Sequence, residues 1–170
     1  MACTSGPIAD YGYGPKNAAC IEGGPLRERY ILQQFHFHWG HESKWGSEHH
    51  VDGFSYSGEM HLVFLAERYS AQNDALEDPE GLCVLAVFLH PSKYGANTLI
   101  CHHNEVIFFF LKDLSRYYTY EGSLTTPPCS ECVRWIVCAD PVEISDSQVH
   151  LQLCSCTFQI RTASVICVIY

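Results

Sequence analysis

The chain has 170 residues, 47 % of them hydrophobic and 17 % charged, with 10 Lys and Arg against 19 Asp and Glu for a net charge of −9. That is one globular domain's worth of sequence, too apolar and too lightly charged to remain disordered. The acidic balance argues against nucleic acid or an anionic membrane surface as a partner, since both require a basic face.

Residues 1–25 read as loop, punctuated by Gly and Pro and closing with Gly23-Gly24-Pro25. The first twenty residues hold no continuous apolar stretch, so no secretory signal is written there and the chain as written reads as cytoplasmic. From Tyr30 to Trp39 aromatic and branched residues alternate cleanly, as in a strand, with Gln34, His36 and His38 on one face and Phe35, Phe37 and Trp39 on the other. The segment 40–57 is polar and turn-rich. Gly58–Leu65 is a second strand, in which Glu59, His61 and Val63 share a face backed by Met60, Leu62 and Phe64. Ala66–Gly81 is acidic and loop-like, and Leu82–Leu89 is a continuous apolar run that predicts a buried strand. Val106–Leu111 is a further strand candidate. Asp113–Gly122 leads into the rigid turn Ser123-Leu124-Thr125-Thr126-Pro127-Pro128, and Val133–Cys138 is again strand. No apolar run approaches the ~18 residues needed for a membrane span; Val106–Leu111 and Val165–Tyr170 are six each. Helical spacing is rare, so the fold class is mainly β.

Ten Cys and ten His stand out. The cysteine spacings are irregular and leave the redox compartment open. The histidines are more informative. On a strand, i and i+2 side chains lie about 6.6 Å apart on one face, so His36 and His38 can converge on a single ion. If the two strands pair, His61 adds a third nitrogen. Three neutral imidazoles leave zinc one coordination place for water, as in catalytic sites. Gln34 beside His36 and Glu59 beside His61 can each hold the ring nitrogen that does not ligate. The plain alternative is a polar strand face with no metal.

Gln34-Phe35-His36-Phe37-His38-Trp39-Gly40, Gly46-Ser47-Glu48-His49, Glu59-Met60-His61-Leu62-Val63 and Gly122-Ser123-Leu124-Thr125-Thr126-Pro127-Pro128 with Trp135 following together resemble the α-class carbonic anhydrases. The intervals also agree with that family: twelve residues from His36 to Glu48, twenty-three from His38 to His61, and ten from Thr125 to Trp135. The resemblance implies a large central, twisted, mostly antiparallel sheet with few short helices, zinc held by His36, His38 and His61, and reversible hydration of carbon dioxide to bicarbonate by attack of zinc-bound hydroxide. It further implies that Thr125 accepts the hydrogen bond of that hydroxide and passes its own proton to Glu48. A threonine hydroxyl has one donor, so an ionised carboxylate behind it makes the oxygen present a lone pair. The Thr125 backbone N–H would face the developing negative oxygen. Val63, Val84, Leu124, Val133 and Trp135 match the apolar wall where carbon dioxide rests, although Val and Trp on strands are ordinarily core. His49 matches a buried structural histidine. The histidines at 41, 50, 90, 102, 103 and 150 read as surface or loop residues. Sulfonamide-type inhibitors are expected, and oligomeric state is not readable.

The resemblance is firm over about half of the chain, within a carbonic-anhydrase-like region at 21–149 that is shortened between 90 and 116. Residues 1–20 form a divergent N-terminal segment, without the family's usual proton-shuttle histidine, and 150–170 a divergent Cys-rich tail. Proton transfer should therefore be slowed. Cys129 resembles the secreted and membrane-bound branch, where this cysteine is disulfide-bonded near the start of the domain; Cys3 and Cys20 are the candidate mates. Cys129 and Cys132 with Cys154 and Cys156 suggest a second, structural zinc only weakly, because the latter spacing is wrong for it. Beside the enzyme stand a non-catalytic carbonic-anhydrase-like zinc-binding or interaction module, or a truncated inactive product. A carrier of apolar ligands comes last, since it leaves Glu48 and Thr125 unexplained.

Overall fold

Branched and aromatic residues at alternate positions build strands, and the computed structural model joins nine of them in one sheet. It describes residues 2–3, 19–40, 45–92, 114–145 and 166–169. The strands are β1 (Ala2–Cys3), β2 (Cys20–Gly23), β3 (Tyr30–Trp39), β4 (Gly58–Ala66), β5 (Leu82–Pro91), β6 (Tyr117–Gly122), β7 (Val133–Cys138), β8 (Val142–Ile144) and β9 (Ile166–Ile169). Their order is β6-β7-β5-β4-β3-β2-β9, with β1 beside β3 and β8 beside β5. The pairs β5/β7, β5/β8 and β2/β9 are parallel and the others antiparallel, so the sheet is mixed but mostly antiparallel.

β5 lies between β4 and β7 and is buried on both faces from Leu82 to Leu89, as its unbroken apolar run requires. One face carries Phe35, Phe37, Met60, Leu62, Phe64, Leu85 and Ile136 in a continuous core. The opposite face carries a second apolar cluster of Val63, Val84, Phe88, Val133 and Trp135, with Leu124 packed against it. The histidines stand on this second face.

Several expectations change. The alternation of Tyr30–Trp39 is not clean throughout, because the register of β3 on β4 slips between Leu32 and Gln34. Strict alternation would put Tyr30 and Leu32 on the histidine face. The extra residue, Gln33, instead turns them toward the core of Phe35 and Phe37, as a β-bulge does. The segment 1–25 contains β1 and β2, and the lead-in to the rigid turn contains β6; short pieces gain strand character only from partners distant in sequence. Ala66 closes β4, and 67–81 is loop except for a 3₁₀ turn at Gln72–Ala75. Val106–Leu111, His41, His102, His103, His150, Cys154 and Cys156 lie outside the described residues. Among the described residues no helix is long and apolar enough to cross a membrane.

Candidate metal centre

Register assembles the site. In the β3/β4 pair His36 is directly opposite His61, His38 opposite Glu59 and Gln34 opposite Val63. Directly opposed residues in an antiparallel pair share a face, so all six are on one side. The rows continue across the sheet. His61 is level with Ala86, whose small side chain leaves space for the imidazole, while Val63, Val84, Trp135 and Tyr120 form the next row.

The three rings converge. His36 and His38 centroids are 5.0 Å apart, His36 and His61 5.2 Å, and His38 and His61 4.4 Å. One nitrogen from each lies within 4.8 Å of the other two. The remaining nitrogens are committed outward. His36 Nδ1–H donates to Gln34 Oε1 at 3.1 Å, and His61 Nε2–H donates to Glu59 Oε1 at 2.6 Å. His38 Nδ1 lies 3.2 Å from Glu48 Oε1, a carboxylate oxygen that can only accept, so the proton of that ring belongs there.

The consequence is a pair of lone pairs facing each other. His38 Nε2 and His61 Nδ1 are 3.1 Å apart, and in the tautomers that place the protons toward Glu48 and Glu59 neither inner nitrogen carries a hydrogen to share. Two bare acceptors at that distance repel unless a cation sits between them. For tetrahedral zinc with bonds of about 2.05 Å, adjacent ligand nitrogens are about 3.3 Å apart. The donor set thus fits zinc in chemistry and in spacing.

Electrostatics point the same way. Burial, helped by the neighbouring His61, lowers the pKa of His36 to about 4 and that of His38 to about 3, so both rings stay neutral, as ligands must. Burial alone would raise Glu59, but the hydrogen bonds from His49 and His61 outweigh it and hold the carboxyl well below its usual range. The sign for stability follows. An unfolded histidine takes up its proton near pH 6.5, whereas these folded rings do not until pH 4 or below. Between those values the unfolded chain holds more protons, so stability of the zinc-free protein falls with pH by about 1.4 kcal/mol per unit for each ring. Thermal unfolding of the metal-free chain should show a midpoint that drops from pH 7 to pH 5; a flat profile would contradict the buried neutral imidazoles.

Glu48 and His49 come from the loop between β3 and β4. Its tip is a two-residue turn in which Val51 and Phe54 exchange both backbone hydrogen bonds, with Asp52 and Gly53 at φ 52° and 81°. Gly46 is required at its base, because a Cβ there would lie 1.9 Å from the Ser57 carbonyl oxygen. His49 N–H donates to Glu59 Oε2 at 2.8 Å, and its ring Nδ1 lies 2.5 Å from Glu59 Oε1.

The apolar residues expected to form the wall are gathered as well: Val63, Val84, Val133 and Trp135 are buried together and Leu124 packs on them. The Trp135 ring is 4.9 Å from that of His61. Thr125 is not brought to Glu48. It stands exposed in its turn, while Glu48 Oε2 is buried without a hydrogen-bond partner. Cys129 and Cys20 are both free, the first exposed and the second buried, so no disulfide joins them; the Cys3 side chain lies outside the described residues. His50 and His90 are exposed, as expected. Tyr120 escaped the sequence reading, although the run Tyr117-Tyr118-Thr119-Tyr120 has the composition of a strand. Its hydroxyl lies 2.6 Å from His49 Nε2.

Comparison with known proteins agrees with this geometry. The family described as eukaryotic-type carbonic anhydrase matches residues 8–164. Carbonic anhydrase 5B, mitochondrial, of Rattus norvegicus is 43 % identical over 146 residues, covering 76 % of this chain and 46 % of that protein. Carbonic anhydrase 7 of Mus musculus is 37 % identical over 175 residues, covering 88 % and 65 %. Carbonic anhydrase 3 of Equus caballus is 36 % identical over 146 residues, covering 76 % and 55 %. The chain spans about half to two thirds of the length of these relatives. With the family matched over residues 8–164, nearly the whole of this sequence, the chain belongs to the eukaryotic-type carbonic anhydrases.

Proposed function

We propose that the chain is a zinc-dependent carbonic anhydrase, a lyase that hydrates carbon dioxide reversibly to bicarbonate and a proton. The observation that carries this reading is the convergence of one nitrogen each from His36, His38 and His61, with His38 Nε2 and His61 Nδ1 3.1 Å apart. His36 Nε2 completes the ligand set, since its Nδ1 is taken by Gln34. Zinc held there supplies a Lewis acid that makes water a competent nucleophile at neutral pH.

The chain's own residues do the rest. Gln34 and Glu59 fix the tautomers of His36 and His61 and keep their lone pairs inward. Val63, Val84, Leu124, Val133 and Trp135 offer a dry surface on which an apolar triatomic substrate rests without hydrogen bonds. Glu48 Oε2 is a buried acceptor awaiting a donor, and the Thr125 hydroxyl is suited to it. With its O–H donating a hydrogen bond to Glu48, the Thr125 oxygen can only accept from the attacking water, which orients it. The Thr125 N–H then faces the negative charge that develops on the substrate oxygen. Sulfonamides inhibit, through a deprotonated nitrogen that competes for the metal.

A specific observation favours a second reading. Thr125 is exposed and Glu48 Oε2 is unpaired, an arrangement that suits a zinc-binding or interaction module without turnover. Zinc content, carbon dioxide hydration and circular dichroism of the purified chain discriminate. One zinc per chain with measurable hydration supports the enzyme. A folded, zinc-loaded chain without hydration moves the assignment to the second reading, and a folded chain that takes up no zinc overturns both.

A further inference from the structure

Behind the three histidines runs a chain of hydrogen bonds that the reaction itself does not use. Glu59 is fully buried, yet its Oε1 takes two imidazoles at once, His61 Nε2 at 2.6 Å and His49 Nδ1 at 2.5 Å. An ionised carboxylate has only acceptors, so both nitrogens facing it carry protons. That leaves His49 Nε2 as an acceptor, and the Tyr120 hydroxyl, 2.6 Å away, must be its donor. Each assignment follows from the one before, and the last member sits on β6, at the rim of the sheet.

We propose that Tyr120 is a positioning residue for the metal centre, acting on His61 through His49 and Glu59. The phenol pins the outer edge of the His49 ring. His49 in turn grips both Glu59 oxygens, one through its backbone N–H at 2.8 Å and one through its ring. Glu59 held in this way aims Oε1 at His61 Nε2, which keeps the His61 Nδ1 lone pair turned inward. Without the phenol the ring is anchored on one side only, and Glu59 becomes free to swing away from His61. Aromatic contacts keep Tyr120 in place: its ring stacks on Trp135 with centroids 6.1 Å apart and planes 7° from parallel. Trp135 is itself tied by its Nε1–H to the Ser123 carbonyl at 3.2 Å. A phenylalanine at 120 would keep that stack and lose only the hydroxyl. Tyr118, two residues earlier on the same face and 54 % exposed, supplies the control.

The inference rests on the three-histidine reading, so its test has one readout with zinc and one without. Tyr120→Phe and Tyr118→Phe are made in the full chain. Zinc loss to a chelator is timed, and the ring N–H proton signal of His49 is followed by NMR in the metal-free protein. Outer hydrogen-bond partners of metal ligands commonly change affinity about 10- to 100-fold. The expected result is zinc loss about tenfold faster for Tyr120→Phe, with a shifted or broadened His49 signal, while Tyr118→Phe matches the unaltered chain in both. Zinc loss at the unaltered rate in Tyr120→Phe overturns the proposal, as does an equal effect of Tyr118→Phe, which would mean general loosening of the rim strand. An unaltered chain that binds no zinc sinks the carbonic anhydrase reading instead, and the His49 signal alone then decides whether Tyr120 holds that ring.

Discussion

Replacing His61 with alanine should abolish zinc binding and carbon dioxide hydration together. His61 is the ring that the other two meet: its centroid is 4.4 Å from that of His38 and 5.2 Å from that of His36. Removing it leaves two nitrogens from one strand, fewer than the three protein ligands of catalytic zinc sites. The loss of affinity should exceed the ~100-fold seen when only an outer partner is removed. The substitution also deprives the buried Glu59 of one of its two imidazole donors, and uncompensated buried charge destabilises strongly. His36→Ala separates the two effects. His36 bonds outward only to Gln34, so this variant leaves the Glu59 pairing intact and should lose zinc while keeping the fold. Zinc titration beside circular dichroism reads both. Hydration retained in either variant would refute the three-histidine assignment.

Glu48→Gln and Thr125→Ala should each lower hydration by roughly 10²- to 10³-fold while zinc remains bound, the size of effect found when a single orienting or charge-stabilising donor is removed. Neither is a ligand, so zinc should stay bound in both, but Glu48→Gln also changes the acceptor facing His38 Nδ1 and should release zinc faster than Thr125→Ala. Glu48→Gln replaces an acceptor-only group with one that also donates, so the Thr125 hydroxyl is no longer compelled to point its proton inward. The double variant should be little worse than either single one, because both act through the same hydrogen bond. Stopped-flow hydration with parallel metal analysis checks this. Unchanged activity in Thr125→Ala would mean that the exposed position of Thr125 is its working one and that water is oriented by other means.

The relation between loop and sheet explains why this second test is informative. The β3/β4 framework is tied by regular backbone ladders, and its histidines are placed by register. Glu48 comes from a loop that is itself well tied, by Gly46 N–H on the Tyr56 carbonyl at 2.9 Å and His49 N–H on Glu59 Oε2 at 2.8 Å, whereas Thr125 sits in a turn held by Leu124 N–H on the Ser130 carbonyl at 3.0 Å and Cys129 N–H on the Thr126 carbonyl at 2.9 Å. Elements held by few bonds move at low free-energy cost, as catalytic loops commonly do.

Much of the site was legible before any coordinates. Side chains alternate across a strand with a period of two, so the shared face of Gln34, His36 and His38, and that of Glu59, His61 and Val63, follow from spacing alone. The buried β5 follows from its unbroken apolar run. The bulge at Gln33 did not follow, because nothing in Leu32-Gln33-Gln34 distinguishes an inserted residue from an alternating one; only the fit of Tyr30 and Leu32 to the core against β4 selects it. The strands β1, β2, β6, β8 and β9 do not follow from the sequence because short segments acquire strand geometry from their neighbours rather than from propensity.

Local sequence thus determined which residue types could ligate, which could back them, and which way each side chain turned on its own strand. Tertiary structure decided that His36 lies opposite His61, that the ring nitrogens of His38 and His61 meet at 3.1 Å, and that Tyr120 reaches His49. The division is physical. Alternation is a property of one strand's backbone, whereas register is chosen by the packing of both sheet faces over contacts far apart in the chain, and the chemistry of this centre depends on register.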